Sequence, residues 1–106
     1  MTNPVQASLY IDGEMTEAYG GKTYPIYNPA NPDHLVGNAA DASQDDVDRA
    51  IAAAKNAHPD WSGLGVSARA DLLKAVAQNL KADEAATADL ARQFTTEHGK
   101  VLFEST

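Results

Sequence analysis

The hydrophobic pattern of this 106-residue chain changes near Ser43, and this change constrains the fold more than any other feature. Before it, short apolar stretches are separated by turn signals rich in Gly, Pro and Asn, a pattern typical of short strands. After it, apolar residues recur every three or four positions, which indicates amphipathic helices. The sequence therefore predicts an α+β fold, with a short N-terminal β-hairpin or meander followed by three α-helices.

Two turn signals divide the strand region. Asp12-Gly13 predicts a type I′ hairpin turn, because both central residues of that turn need positive φ. Gly20-Gly21 marks a second turn, and the alternating stretch "KTYPIYNP" that follows is typical of a strand. Pro25 removes one ladder donor from this strand, so we expect either an edge strand or a strand with a gap in its pairing. Residues 1–7 precede these elements as a polar arm.

The stretch "NPANPDHLVG" contains two Asn-Pro pairs. Each proline disfavours helical backbone at the residue before it, and each asparagine can close a local turn with its side chain. We expect an ordered loop here, followed by a short extended piece, "HLVGNAA".

The first helix has a clear start and a predicted stop. Ser43, followed three residues later by Asp46, resembles a capping box with Asp in place of the usual Glu. Apolar spacing then predicts a helix over residues 44–57. Pro59 is expected to end it, and Trp61 to bury its ring in the turn that follows.

Two more helices complete the pattern. Ser67 is expected to cap the second, a break near Ala82-Asp83 to open the third, and Gly99 to end it at C′. The apolar face of the second helix consists of Leu72, Leu73, Val76, Ala77 and Leu80, and that of the third of Ala86, Leu90 and Phe94.

Composition excludes several classes of function. Fifteen acidic and eight basic residues give a formal charge of −7, which argues against binding to nucleic acid or to an anionic membrane surface. The chain has no cysteine, so it contains no disulfide, no cysteine nucleophile and no thiolate metal ligand. No signal peptide or membrane span is visible, and we expect a cytoplasmic protein. Much of the apolar content is alanine, which predicts a thin core.

No catalytic constellation emerges from the residues alone. Adjacent Glu97 and His98 point about 100° apart on a helix, so they are poorly placed for a catalytic dyad. Gly99-Lys100 lacks the other residues of a phosphate-binding loop. The histidines have no metal-ligand spacing, and the aspartates at 41, 45, 46 and 48 lack the pattern of a calcium loop.

The order of several short motifs over residues 8–104 resembles the N-terminal stretch of the NAD(P)-dependent aldehyde dehydrogenase superfamily. The motifs are Ile11-Asp12-Gly13-Glu14, Tyr27-Asn28-Pro29, the helix containing Asp46-Val47-Asp48-Arg49-Ala50, Trp61 ahead of an Arg69-containing helix, and Glu97-x-Gly99-Lys100. The resemblance implies that residues 8–106 are the incomplete N-terminal portion of such a domain.

The resemblance also implies where the chemistry lies. The family's cysteine nucleophile, general-base glutamate, oxyanion-hole asparagine and cofactor glycine loop come later in sequence, so none has a matching position here. In many members a monovalent cation is held near this segment, and the corresponding ligands would be the Glu97 carboxylate and the Ile26 carbonyl. We expect no catalytic or cofactor-binding residue in this chain, and NAD or NADP in the complete enzyme.

Two hypotheses remain open at this point. In the first, the chain is part of a subunit that oxidises an aldehyde to an acid or acyl thioester, with the remainder of the subunit as its partner and a homo-oligomer as the complete enzyme. In the second, it is a free-standing interaction module derived from that fold, without chemistry. Both predict that the chain alone is inactive.

Overall fold

A computed structural model describes residues 4–105 and confirms the predicted order of strands followed by three helices. The strands are β1 (Val5–Ala7), β2 (Leu9–Ile11), β3 (Glu14–Thr16), β4 (Thr23–Asn28) and β5 (Asn31–Ala40), and the helices are α1 (Gln44–Gly63), α2 (Val66–Ala82) and α3 (Glu84–His98). Short 3-10 turns lie at Tyr19–Gly21 and Leu102–Glu104. The chain divides between His58 and Pro59 into two compact units.

The first unit contains both sheets. The order β1-β5-β4 forms one three-stranded sheet, in which β5 pairs parallel to β1 and antiparallel to β4. The strand β4 lies at an edge, which is one of the two alternatives that Pro25 predicted. Strands β2 and β3 form a separate antiparallel ribbon whose turn has φ of 53° at Asp12 and 78° at Gly13, as expected for a type I′ hairpin.

Two predictions for the first unit need correction. Residues 1–7 were predicted to be a polar arm, but the described part of that segment includes strand β1. Its partner strand lies more than thirty residues away in sequence, so local patterns could not predict the pairing. The loop predicted from "NPANPDHLVG" is mostly strand. The Asx turn exists, since Ala30 N–H donates to Asn28 Oδ1 at 2.9 Å. Strand β5 already begins at Asn31, however, and Pro32 is tolerated because β1 pairs only with 37–39.

The first helix starts as predicted but ends later. Ser43 and Asp46 form a reciprocal capping box. The helix continues through Pro59 to Gly63, so the expectation that Pro59 ends it was wrong. Two contacts occupy carbonyls in its last turn: Ser62 Oγ donates to Pro59 O at 3.2 Å, and Arg69 Nη1 donates to Ser62 O at 2.8 Å. These contacts satisfy two carbonyls at the end of the helix, where the backbone alone leaves the last carbonyls without intrahelical partners.

In the second unit, the helix ends are set by Gly65, Asp83 and Gly99. The prediction that Ser67 caps α2 was wrong: α2 begins at Val66, after Gly65 with φ of 84°. The break at Ala82-Asp83 is confirmed, and Asp83 Oδ1 accepts a hydrogen bond from Ala86 N–H at 3.0 Å. Gly99 adopts φ of 73° and closes α3, as expected for a C′ glycine.

The core is thin, as the alanine-rich composition predicted. Among residues 4–105, the buried apolar side chains are Ala18 and Val36 in the first unit and Ala91 in the second. Trp61 is 39% exposed, so the expectation that it fills a buried corner does not hold in this chain. Large apolar residues of α2, including Leu73 and Val76, are also exposed.

The Asp83 cap gives a first testable prediction. We expect Asp83→Ala to lower the free energy of unfolding of the second unit by about 1 kcal/mol, because the Ala86 N–H loses its acceptor. The measurement is denaturant unfolding followed by far-ultraviolet circular dichroism. Asp89→Ala is the matched control, since its 3.5 Å ion pair with Arg92 is exposed and worth less than about 1 kcal/mol. Equal losses in both variants would contradict a specific capping role.

Candidate functional site

The most buried polar side chain among the described residues is Asp46, in the first turn of α1, with 2% of its surface exposed. Its Oδ2 accepts three hydrogen bonds of 2.9 Å, from Tyr19 N–H, Ser43 N–H and Ser43 Oγ. Its Oδ1 accepts from Arg49 Nη2 at 2.7 Å. The carboxylate therefore joins the turn that contains Tyr19 to the start of helix α1.

These contacts determine the protonation state of Asp46. The Tyr19 N–H, then the Arg49 guanidinium and the Ser43 N–H, hold the pKa of the Asp46 carboxyl well below its usual range, and the opposing effect of burial is smaller. A carboxylate with so low a pKa is a poor general base at neutral pH. Asp46 is thus suited to anchoring two segments of backbone and not to proton transfer.

The Asp46 network was only partly predictable. The Ser43-x-x-Asp46 spacing indicated the cap. The Tyr19 contact spans 27 positions in sequence, and no local signal points to it. An Asp in place of the usual Glu, followed three residues later by an arginine, was the available clue that this carboxylate has additional partners.

Glu97 and His98 do not form a catalytic pair. The His98 ring stacks on Phe94, with centroids 4.4 Å apart and an interplanar angle of 21°, and Lys100 Nζ lies 5.6 Å from the Phe94 ring centroid. Within the described stretch 4–105, no hydrogen bond joins Glu97 to His98. The structure thus places the imidazole in an aromatic and cationic cluster at the end of α3.

The other candidate ligands are dispersed. His34 lies on β5 near Asn28, with 3.4 Å between Asn28 Nδ2 and His34 Nδ1. Asp45 and Asp46 occupy the first turn of α1, where acidic side chains favour the helix dipole. In the part of the chain that the structure describes, no three His, Cys, Asp or Glu residues are grouped as a metal site would require.

The two predicted cation ligands belong to separate units, and each is described on its own. Ile26 is a half-buried residue of β4 opposite Gly37, next to an irregularity in the β4–β5 register. Glu97 is half-buried in the last turn of α3. Neither observation tests the cation, which stays a prediction.

Within residues 4–105, no strand leads through a glycine-rich turn directly into a long helix, the arrangement that receives a pyrophosphate. No described helix is long and apolar enough to cross a membrane.

Comparison with known proteins identifies the family. The model of the aldehyde dehydrogenase family matches residues 15–106, most of the chain. This chain belongs to the aldehyde dehydrogenase family. The fold agrees: PnpE from Pseudomonas sp. WBC-3 superposes with a TM-score of 0.84 and 35% identity over 95% of this chain. An NAD-dependent aldehyde dehydrogenase from Sinorhizobium meliloti gives a TM-score of 0.84 and 27% identity over 97% of this chain.

The chain matches only a small part of its aldehyde dehydrogenase relatives. It is 38% identical to malonate-semialdehyde dehydrogenase 1 of Bacillus licheniformis over 101 residues, which are 95% of this chain and 20% of that protein. Its alignment with aminoaldehyde dehydrogenase 2 of Solanum lycopersicum includes 92% of this chain and 19% of that protein, at 37% identity. This chain likewise superposes on only 20% of PnpE and 20% of the Sinorhizobium meliloti enzyme. The chain thus spans about a fifth of these proteins, the extent expected of an N-terminal segment.

Proposed function

We propose that this chain is the N-terminal part of the subunit of an aldehyde dehydrogenase, which when complete oxidises an aldehyde to an acid or acyl thioester. The family match over residues 15–106 carries this proposal. The absence of cysteine from the sequence supports this proposal, because the family's cysteine nucleophile must then come from another part of the subunit. The contribution of this chain is structural.

NAD is the cofactor that the relatives favour for the complete enzyme. PnpE has been crystallised in complex with nicotinamide adenine dinucleotide, and betaine aldehyde dehydrogenase from Staphylococcus aureus with NAD+. Bound nicotinamide supplies the hydride acceptor in such chemistry. No residue of this chain is assigned to the cofactor, and NADP stays an alternative.

The chain's own part in the enzyme is to fix backbone segments. Asp46 holds the turn at Tyr19 against the start of α1 through charge-assisted hydrogen bonds. We further propose that the remainder of the subunit is its partner and that the complete enzyme is a homo-oligomer. A cytoplasmic location stays a prediction from the sequence.

The reading frame that follows the Thr106 codon tests the proposed function. We expect it to continue in phase and to encode a cysteine and a glycine-rich segment after a further strand. An in-phase stop codon followed by unrelated sequence would instead support the free-standing interaction module. Sequencing of the messenger RNA together with the gene detects an intron or a sequencing error that would interrupt the frame.

We also propose that Glu97 and the Ile26 carbonyl contribute to a monovalent cation site. Two observations support it. A register irregularity beside Ile26 can leave ladder groups unpaired, and Glu97 is partly shielded from water. Oxygen ligands suit a hard cation.

We expect potassium to raise the thermal unfolding midpoint of the complete subunit relative to choline at equal ionic strength, because a cation that binds only the folded state stabilises it. Glu97→Gln should abolish this difference. Glu104→Gln, which alters an exposed carboxylate nearby in sequence, is the control. A potassium effect that persists unchanged in Glu97→Gln would exclude Glu97 as a ligand.

A further inference from the structure

An apolar groove runs between the β2–β3 ribbon and helix α1 within the first unit. A cavity of about 370 Å³ is lined mainly by Leu9, Ile11, Val47, Ala50, Ile51 and Ala54. A second cavity of about 300 Å³ shares Tyr10, Ile11, Ala50 and Ala54 with it, and continues toward the hairpin turn and Ala57. We call the two cavities together the ribbon–helix groove.

The groove is unsuited to a polar ligand. Its charged lining residues are Asp46 and, at the hairpin turn, Asp12. Both carboxylate oxygens of Asp46 already accept hydrogen bonds of 2.7–2.9 Å from the chain itself. Small-molecule sites combine an apolar lining with a few convergent polar groups. Among the described residues that line the main cavity, the polar side chains are Asp46 and Tyr10, and Tyr10 is 69% exposed. Apolar side chains are the chemistry that fits.

Apolar side chains that line the ribbon–helix groove remain exposed in this chain. Val47 is 43% exposed and Ile51 is 50% exposed, although both lie on the apolar face of α1. The ribbon beside them has only two strands, and an isolated two-stranded ribbon is marginally stable in water. An apolar segment in the groove would cover the helix face and support the ribbon at once.

We propose that the ribbon–helix groove is the docking site for an apolar segment from the remaining polypeptide of the aldehyde dehydrogenase subunit. This inference rests on the proposed function. Its occupant follows from the comparisons, because the same fold occurs in PnpE with 95% of this chain superposed but only 20% of PnpE accounted for. The rest of such a chain is covalently attached and thus present at high effective concentration.

Thiol labelling tests the docking directly, because the chain has no cysteine of its own. Ile51→Cys is placed in the 106-residue chain and in a chimaera where this chain replaces the matching fifth of Bacillus licheniformis malonate-semialdehyde dehydrogenase 1. Asn56→Cys, on the exposed opposite side of α1, is the control in both. Peptide mass spectrometry separates the introduced thiol from the relative's own cysteines.

We expect Ile51→Cys to react rapidly in the chain alone and at least about tenfold more slowly in the folded chimaera, as expected for a site that must open before it reacts. Asn56→Cys should react rapidly in both. Equal rates for Ile51→Cys in the two proteins would overturn the proposal. Protection in the chain alone would also overturn it, and a dependence of that protection on concentration would identify a second copy as the occupant.

Two further measurements keep the outcomes separate. The Ile51→Cys chimaera is assayed for aldehyde-dependent reduction of NAD. If it is active but its introduced thiol is not protected, the docking site is rejected and the proposed function stands. If the thiol is protected but the chimaera is inactive, the proposed function is rejected and the docking site stands. In the 106-residue chain, Ile51→Lys should leave the unfolding midpoint unchanged, because the groove is open there. A clear fall in the midpoint would show that Ile51 belongs to the chain's own core, and would reject the proposal whether or not the chimaera folds.

Discussion

Replacing Asp46 by alanine is expected to destabilise the chain more than replacing any other single carboxylate in it. The substitution leaves the Tyr19 and Ser43 N–H groups and the Ser43 hydroxyl without their acceptor, in a region where water does not readily replace it. It also removes the partner of Arg49. We expect the thermal unfolding midpoint to fall by several degrees, measured by circular dichroism.

The control is Asp48→Ala, two residues along the same helix. Asp48 is exposed and its carboxylate accepts one hydrogen bond, from Gln44 Nε2 at 2.9 Å. Its removal should change the free energy of unfolding by less than about 0.5 kcal/mol. Similar losses in the two variants would contradict the role assigned to Asp46.

The Asp46 contribution should also depend on pH in one direction. Because the pKa of Asp46 is lowered in the folded state, the unfolded chain binds the proton more tightly. The stability difference between the native chain and Asp46→Asn should be constant above the ordinary carboxyl pKa of about 4, and should shrink as the pH falls below it. A difference that grows on acidification would contradict the ionised, hydrogen-bonded carboxylate.

Replacing Gly37 by alanine is expected to detach strand β1. Gly37 is the register partner of Val5 across the parallel pair. A Cβ built on Gly37 would lie 2.9 Å from the Val5 backbone nitrogen and carbonyl carbon, and closer still to the carbonyl oxygen. Backbone atoms cannot rotate away as a side chain can, so the strand must shift. We expect a loss on the order of 1–3 kcal/mol, as for other overpacked sites.

Hydrogen exchange provides the readout for Gly37→Ala. The amides of 5–7 should exchange faster in the variant, whereas those of α3 should be unchanged. Gly63→Ala is the control, because nothing lies within 4 Å of a Cβ built there and the residue is helical. That variant should be neutral or stabilising by up to about 1 kcal/mol. Unchanged protection of β1 in Gly37→Ala would show that the strand tolerates the added methyl group.

Local chemistry explains what could be predicted from the sequence. The type I′ turn at Asp12-Gly13, the Ser43–Asp46 box and the end of α3 at Gly99 each depend on residues within a few positions of one another. The family resemblance was likewise carried by short motifs in order, and the match over residues 15–106 confirms it.

Contacts between distant residues explain what could not be predicted. Two contacts join residues that are far apart in sequence: the pairing of Val5 with Gly37 and the hydrogen bond from Tyr19 to Asp46. The conformational propensities of single residues do not predict such contacts. The predicted end of α1 at Pro59 was wrong. The carbonyls of the last turn accept hydrogen bonds from side chains, and the sequence pattern does not show these contacts. Trp61 was expected to be buried on the basis of its residue type, but the chain supplies too few large apolar partners to enclose it.

The thin core and the exposed apolar residues agree with a chain that contributes structure to a larger protein. Burial of apolar area is the main favourable term in folding. Among residues 4–105, the buried apolar side chains are two alanines and one valine, while Ile51, Val76 and Phe94 remain accessible. Covering such residues in a complete subunit would add stability that this chain alone lacks.

Aldehyde-dependent reduction of NAD, followed by the absorbance of the reduced cofactor, tests whether this chain is the N-terminal part of an aldehyde dehydrogenase subunit. The purified 106-residue chain and the chimaera with Bacillus licheniformis malonate-semialdehyde dehydrogenase 1 are assayed side by side against a panel of aldehydes. We expect no turnover by the chain alone, because it has no cysteine and no described acid/base pair, and we expect turnover by the chimaera. Turnover by the chain alone that survives repurification, or a folded chimaera without activity, would contradict it.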